Sequence, residues 1–177
     1  MSKNICGIQQ IGIGVTNAEA SWRWYREQFG MDINVFEDTA VAELMLPHTE
    51  GKPRERYASL AVNMEGGGGF EIWQHNGIVS KKPDFDVRLG DTGIFISKIK
   101  SRKIEEAFKT HTSRGLNILG NLTTDPNGVR HYFLKDPYNN IFQVVEEPSF
   151  FKKQKSLTGG NFGAVIGVSD AVAETSV

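Results

Sequence analysis

The chain opens on a strict alternation. In residues 8–15 (IQQIGIGV), Ile11, Ile13 and Val15 fall on one face of a strand, while Gln10, Gly12 and Gly14 fall on the other. The period then lengthens. Asn17 is placed to cap a helix through AEASWRWYREQFG, where Trp22, Tyr25 and Phe29 recur at helical spacing and Gly30 supplies the stop. Core packing accounts for at least two of Trp22, Trp24 and Tyr25. Apolar strand-like pieces follow at residues 32–36, 58–63 and 70–74, and the stretch holding Pro47, Gly51 and Pro53 reads as loop.

The same plan returns later. GDTGIFISKIKSRKIEEAF (residues 90–108) is again a strand with a Gly-Ile pair, a short polar turn and an amphipathic helix. Ile104, Ala107 and Phe108 mark its buried face, and Gly115 ends it. Strand pieces lie near residues 117–122, 130–134 and 141–146, joined by the turns DPNG (125–128) and DPYNN (136–140). Two copies of strand–helix–strand–strand–strand predict an α+β fold. A third beginning, GAVIGVSD (163–170), echoes IGIGVTN and stops seven residues later. The expected organisation is one domain over residues 5–150, with modules at 5–75 and 90–148. A linker at 151–160 and the truncated start of a further repeat at 161–177 complete it. That last segment has no helix core of its own, so it is expected to pair with another sheet or stay disordered.

Composition narrows the partners. Lys plus Arg (20) balance Asp plus Glu (21), for a formal net charge of −1, and no basic block offers a nucleic-acid footprint. No apolar run is long enough to span a bilayer, and the N-terminus lacks a secretory pattern. Cys6 is the only cysteine, so no intramolecular disulfide forms and a reducing cytoplasm is the expected compartment. It reads as a buried or edge thiol, with no basic neighbour to activate it.

The chemistry centres on FEIWQH. Phe70 and Ile72 suit a buried strand face, yet Glu71 stands between them. An unpaired buried carboxylate is costly, so Glu71 must meet water, a partner, a metal or a substrate. Trp73 shares its parity. The preceding run Gly66–Gly69 lacks both the Gly-Lys-Ser/Thr sequence and the helix of a phosphate-binding loop, and reads as a flexible lead into the strand. His48, His75, His111 and His131 show no ligand spacing; His111, near a helix end, is expected at the surface. His131 and Phe133 share one strand face.

Several stretches in this order, QQIGIGV, SWRWYREQFGMD, FEIWQHN, GIFISKI and FLKDPYNNIFQVVE, resemble the vicinal oxygen chelate superfamily of glyoxalase I, bleomycin-resistance proteins and extradiol dioxygenases. The match runs over about residues 5–148. Asn139 stands where the family's Asp-Pro-x-Gly-Asn turn has glycine, and asparagine tolerates the left-handed conformation that turn needs. The resemblance implies paired βαβββ modules forming a curved cup, which holds a small molecule and usually a divalent metal. Its four metal seats fall on Gln10, Glu71, Asp91 and Gln143, and Trp73, His131 and Phe133 would line the ligand space.

Those residues depart from the family's chemistry. Dioxygenases there use two histidines and a carboxylate, and none of the four seats is histidine. Glyoxalase-type isomerisation needs a carboxylate at the fourth seat, but the Gln143 amide is no general base. Four oxygen donors would favour Mg²⁺, Mn²⁺ or Ca²⁺ over zinc. Without a metal, Glu71 and Asp91 would share a proton if they converged. Three readings remain open. One is a metal-free protein that binds a small metabolite, with a small molecule and a second copy of the chain as partners and neither nucleic acid nor membrane. Another is a metal-dependent lyase, isomerase or dioxygenase with Glu71 and Asp91 as catalytic candidates. In the last, the chain is the first domain of a tandem protein whose cup lies elsewhere.

Overall fold

Helix α1 (Ala18–Phe29) forms where the spacing predicts it. In the computed structural model, which describes residues 7–152 and 156–174, Asn17 Oδ1 accepts the Ala20 N–H at 2.9 Å and caps the first turn. Gly30 closes the last turn at φ 63°, where a side chain would be strained. Around α1, strands β1 (Gln10–Gly14), β2 (Ile33–Val41), β3 (Glu55–Val62) and β4 (Gly69–His75) build a sheet of order β1-β4-β3-β2. β1 runs parallel to β4 and the other pairs are antiparallel. The second module repeats this with β5 (Gly93–Ser101), α2 (Ile104–Ser113), β6 (Asn117–Thr124), β7 (Arg130–Lys135) and β8 (Ile141–Glu146), β5 lying parallel to β8. The fold is therefore α+β with two βαβββ modules. Asn139 takes φ 70°, the conformation its turn requires. No helix among the described residues is long and apolar enough to cross a membrane. Cys6 lies outside them.

One core serves both modules. Phe70 of β4 and Phe142 of β8 meet with ring centroids 5.6 Å apart, and Tyr25 and Phe29 of α1 each touch both. All four rings are essentially inaccessible to water, and each fully buried ring of this size contributes about 1.5–3 kcal/mol. The seam also carries a polar bond. The Tyr25 hydroxyl donates to Asp136 Oδ2 at 2.5 Å, and Asp136 accepts further from the Tyr138 and Asn140 N–H groups and from Asn140 Nδ2. A buried carboxylate with this many donors is satisfied rather than stranded.

Three features differ from the sequence reading. His111 is buried, not at the surface: its Nε2 donates to the Gln28 carbonyl at 3.1 Å and its Nδ1 accepts the Tyr132 hydroxyl at 2.7 Å. A helix-end position says nothing about which way the ring turns, and here it turns into the seam. Gly66–Gly69 is not a flexible lead. A Cβ on Gly66 would stand 1.8 Å from the Gly159 carbonyl oxygen, so that position is glycine because another backbone lies against it. That backbone belongs to residues 156–160, expected within a linker: Thr158, Gly159 and Gly160 are buried. Glu65 anchors them. It is bound by Arg102 Nη2 at 2.8 Å and by the Ser156 N–H at 2.7 Å, while its carbonyl accepts the Phe151 and Lys152 N–H groups. The strap delivers β9 (Asn161–Gly167) to the free edge of β5, where it pairs antiparallel as the fifth strand of β6-β7-β8-β5-β9. The four-residue helix α3 (Ala171–Glu174) follows.

β9 covers backbone groups that would otherwise form an open edge. Deleting residues 161–177 is expected to lower the urea midpoint and raise aggregation, followed by unfolding and size-exclusion chromatography. An equally soluble and equally stable product would show that β9 contributes nothing. His111 predicts a pH dependence. Burial pushes its pKa from 6.5 down to about 4, with Arg114 adding to the fall and the Gln28 carbonyl opposing it. Above 6.5 both states carry a neutral ring and the stabilisation is complete. As pH falls toward 4 the unfolded chain takes up a proton that the native state refuses, and up to about 3 kcal/mol is lost. Urea unfolding at about pH 7 and about pH 4.5 should show a larger loss in the native sequence than in His111→Gln.

Candidate functional site

The candidate residues lie on the sheet faces turned away from the shared core. On the first sheet, Ile11, Ile13, Phe70 and Ile72 point inward, which turns Gln10, Gly12, Gly14, Glu71 and Trp73 to the open side. The parallel register sets Gly12 opposite Glu71 and Gly14 opposite Trp73. Gln10 Nε2 donates to Glu71 Oε2 at 2.7 Å. This bond gives Glu71 a partner, the first of the fates open to such a carboxylate. A Cβ on Gly12 or Gly14 would meet nothing within 4 Å, so the floor beside Glu71 is open. The Arg56 guanidinium lies 5.1 Å from the centre of the Trp73 ring, a cation–π contact that orients the indole.

On the second sheet Gln143 lies between Phe133 of β7 and Lys98 of β5. His131 and Phe133 meet edge to face at 5.3 Å. Lys98 is the residue the sequence reading missed. Strand alternation from the buried Ser97 and Ile99 would have found it, because it turns Lys98 to the same face as Gln143.

Asp91 does not join either set. It precedes β5, is exposed, and its Oδ2 accepts the Arg88 N–H at 2.7 Å within a local turn. The repeat fixes which residue holds its expected place. Gln10 stands two positions before Gly12, the partner of Glu71; Ile96 stands two positions before Lys98, the partner of Gln143. Counting from the helix caps agrees, since Gln10 lies seven residues before Asn17 and Ile96 seven before Lys103. By the internal repeat the position that corresponds to Gln10 is Ile96, which has no donor atom. Matching the Gly-Ile pairs rather than the caps shifted the register.

This set does not fit a tightly held metal. Glu71 is the only anionic ligand, the two amides carry no charge, and Ile96 offers nothing. Zinc and iron sites need imidazole or thiolate, and hard cations need several oxygens at once. Among the described residues no group of three or more His, Cys, Asp or Glu could hold a metal ion. Among the described residues the side-chain contacts of these groups stay within each sheet: Gln10 with Glu71, Arg56 with Trp73, His131 with Phe133. What the modules do build together is a cavity of about 860 Å³ where the end of β1 meets the start of β5 and of β8. Gly14 and Ile141 border it; none of the seven candidate residues does.

Two βαβββ modules that share one core and present open sheet faces define a glyoxalase-like protein. The chain belongs to the Glyoxalase/Bleomycin resistance protein/Dioxygenase superfamily, whose family model matches residues 7–144. No curated protein matches the sequence. Among solved structures, a glyoxalase family protein from Bacillus cereus is similar at 13% identity and a TM-score of 0.65, covering 84% of this chain and 99% of that one. A glyoxalase family protein from Enterococcus faecalis is similar at 18% identity and 0.54, covering 80% and 98%. A mutant of glyoxalase I from Zea mays matches at 14% identity and 0.57, covering 81% of this chain and 45% of that one. At these identities the likeness is one of fold.

Gln10→Ala removes the side-chain partner of a half-exposed carboxylate, which water can replace. The expected loss of stability in urea unfolding is about 1 kcal/mol or less. A loss above about 3 kcal/mol would make the pair part of the core rather than of a site.

Proposed function

We propose that this chain is a small-molecule-binding member of its superfamily, acting without the metal chemistry of its lyase, isomerase and dioxygenase relatives. The observation that carries this reading is Ile96 in the place of a metal ligand. Gln143 as the fourth residue agrees with it, since an amide cannot move the proton that isomerisation requires. The ligand rests on the open floor of Gly12 and Gly14, against the Trp73 indole and the Gln10–Glu71 pair. An apolar wall with a few placed polar groups is how proteins hold small molecules. Three polar or aromatic groups of the second sheet, His131, Phe133 and Gln143, line the opposite side of the cup when the two faces come together, in one chain or between two copies. Action in the cytoplasm agrees with a chain whose lone thiol makes no internal disulfide.

Elemental analysis of protein purified without added metal tests this. Zinc, iron and nickel should all be far below one ion per chain. One ion per chain, lost in Glu71→Gln, would instead show a working metalloenzyme. Glu71→Gln should leave the urea midpoint nearly unchanged, because it removes charge at constant shape, while weakening ligand binding.

A further inference from the structure

The 860 Å³ cavity at the junction of the modules is lined by none of the seven candidate residues and shares only Gly14 with the open floor described above. Its size lies in the range of small-molecule sites, roughly 300–1,000 Å³. Its walls are of two kinds. Lys81 and Lys82 approach from the loop between β4 and β5, and Lys135 from the end of β7, against the single acid Asp86. Among the described residues none of the three lysines makes an ion pair or a side-chain hydrogen bond. Three unpaired ammonium groups around one concavity set up a positive potential that an anion would relieve. Beside the polar groups lies an apolar patch. Phe85 (62% exposed) and Ile94 (55% exposed) stand open to water beside Ile141, and a flat hydrocarbon body in the cavity would cover them. Lys135 and Ile141 are direct neighbours across β7 and β8, so charge and apolar surface meet on one rigid piece of sheet.

We propose that this cavity is a binding site for a small aromatic anion, a carboxylate or sulfonate on a planar apolar body. Lys135 contacts the acid group, and the body lies against Ile94, Ile141 and Phe85. The site stands apart from Glu71 and does not rest on the reading given to the open sheet faces. Gly14 borders the cavity and pairs with Trp73, so the two sites are neighbours along β1.

The probe is 2-naphthoate, with the uncharged 2-naphthalenemethanol as its control, titrated into ¹⁵N-labelled full-length protein. Naphthoate should shift the amides of Gly14, Thr16, Ile94 and Ile141, and bind more tightly than the alcohol. Lys135→Gln should weaken naphthoate by roughly tenfold, the scale of one charge-assisted contact, and leave the alcohol unchanged. The spectrum of each variant reports its folding. A Lys81→Gln/Lys82→Gln double variant, altered only in an exposed loop, should weaken naphthoate in the same direction and carries the test if Lys135→Gln misfolds. Glu71→Gln should bind naphthoate as the native sequence does, whatever becomes of the open-face reading. Equal affinity for acid and alcohol, shifts confined to the surroundings of Glu71 and Trp73, loss of naphthoate binding in Glu71→Gln, or no saturable shift at all would each overturn the assignment.

Discussion

The contact of α1 with both sheets is the constraint on which the rest depends. Tyr25 and Phe29 lie between Phe70 and Phe142, and the Tyr25 hydroxyl ties the first module to the Asp136 turn of the second. Burial and the neighbouring Asp136 carboxylate both hold the Tyr25 phenol far above its usual range, so it stays a donor at every physiological pH. Because the inward faces are committed to this seam, strand alternation leaves the opposite faces free. The open faces of the molecule are thus a by-product of how the core is filled.

Much of this was legible in the sequence, because period and parity are local properties. The alternation of Ile11, Ile13 and Val15 against Gln10, Gly12 and Gly14 fixes the face of β1 without knowledge of any neighbour. The same logic turns Glu71 and Trp73 to the open side. The caps of α1 and the turn at Asn139 follow from side-chain chemistry over a few residues. The internal repeat then gives the second module from the first.

What was not legible depends on contacts between distant segments. The direction of the His111 ring follows from where Gln28 and Tyr132 lie. The close packing at Gly66 follows from the backbone of Gly159, and glycine looks the same whether it gives freedom or room. Asp91 is a different case. Matching the Gly-Ile pairs of the two modules leads from Gln10 to Asp91, whereas matching the helix caps leads to Ile96. The cavity was invisible for a further reason: its lysines come from a loop and a strand end that share no pattern.

The seat of Glu65 also joins three separate parts of the chain. The group that receives the strap is composite: Glu65 comes from the hairpin of the first module and Arg102 from the turn that leads into the helix of the second. The Ser156 N–H donates to one oxygen of the Glu65 carboxylate while Arg102 holds the other. Residues 156–160, which lead into β9, therefore rest on a group to which both modules contribute, and the strap is anchored at their junction.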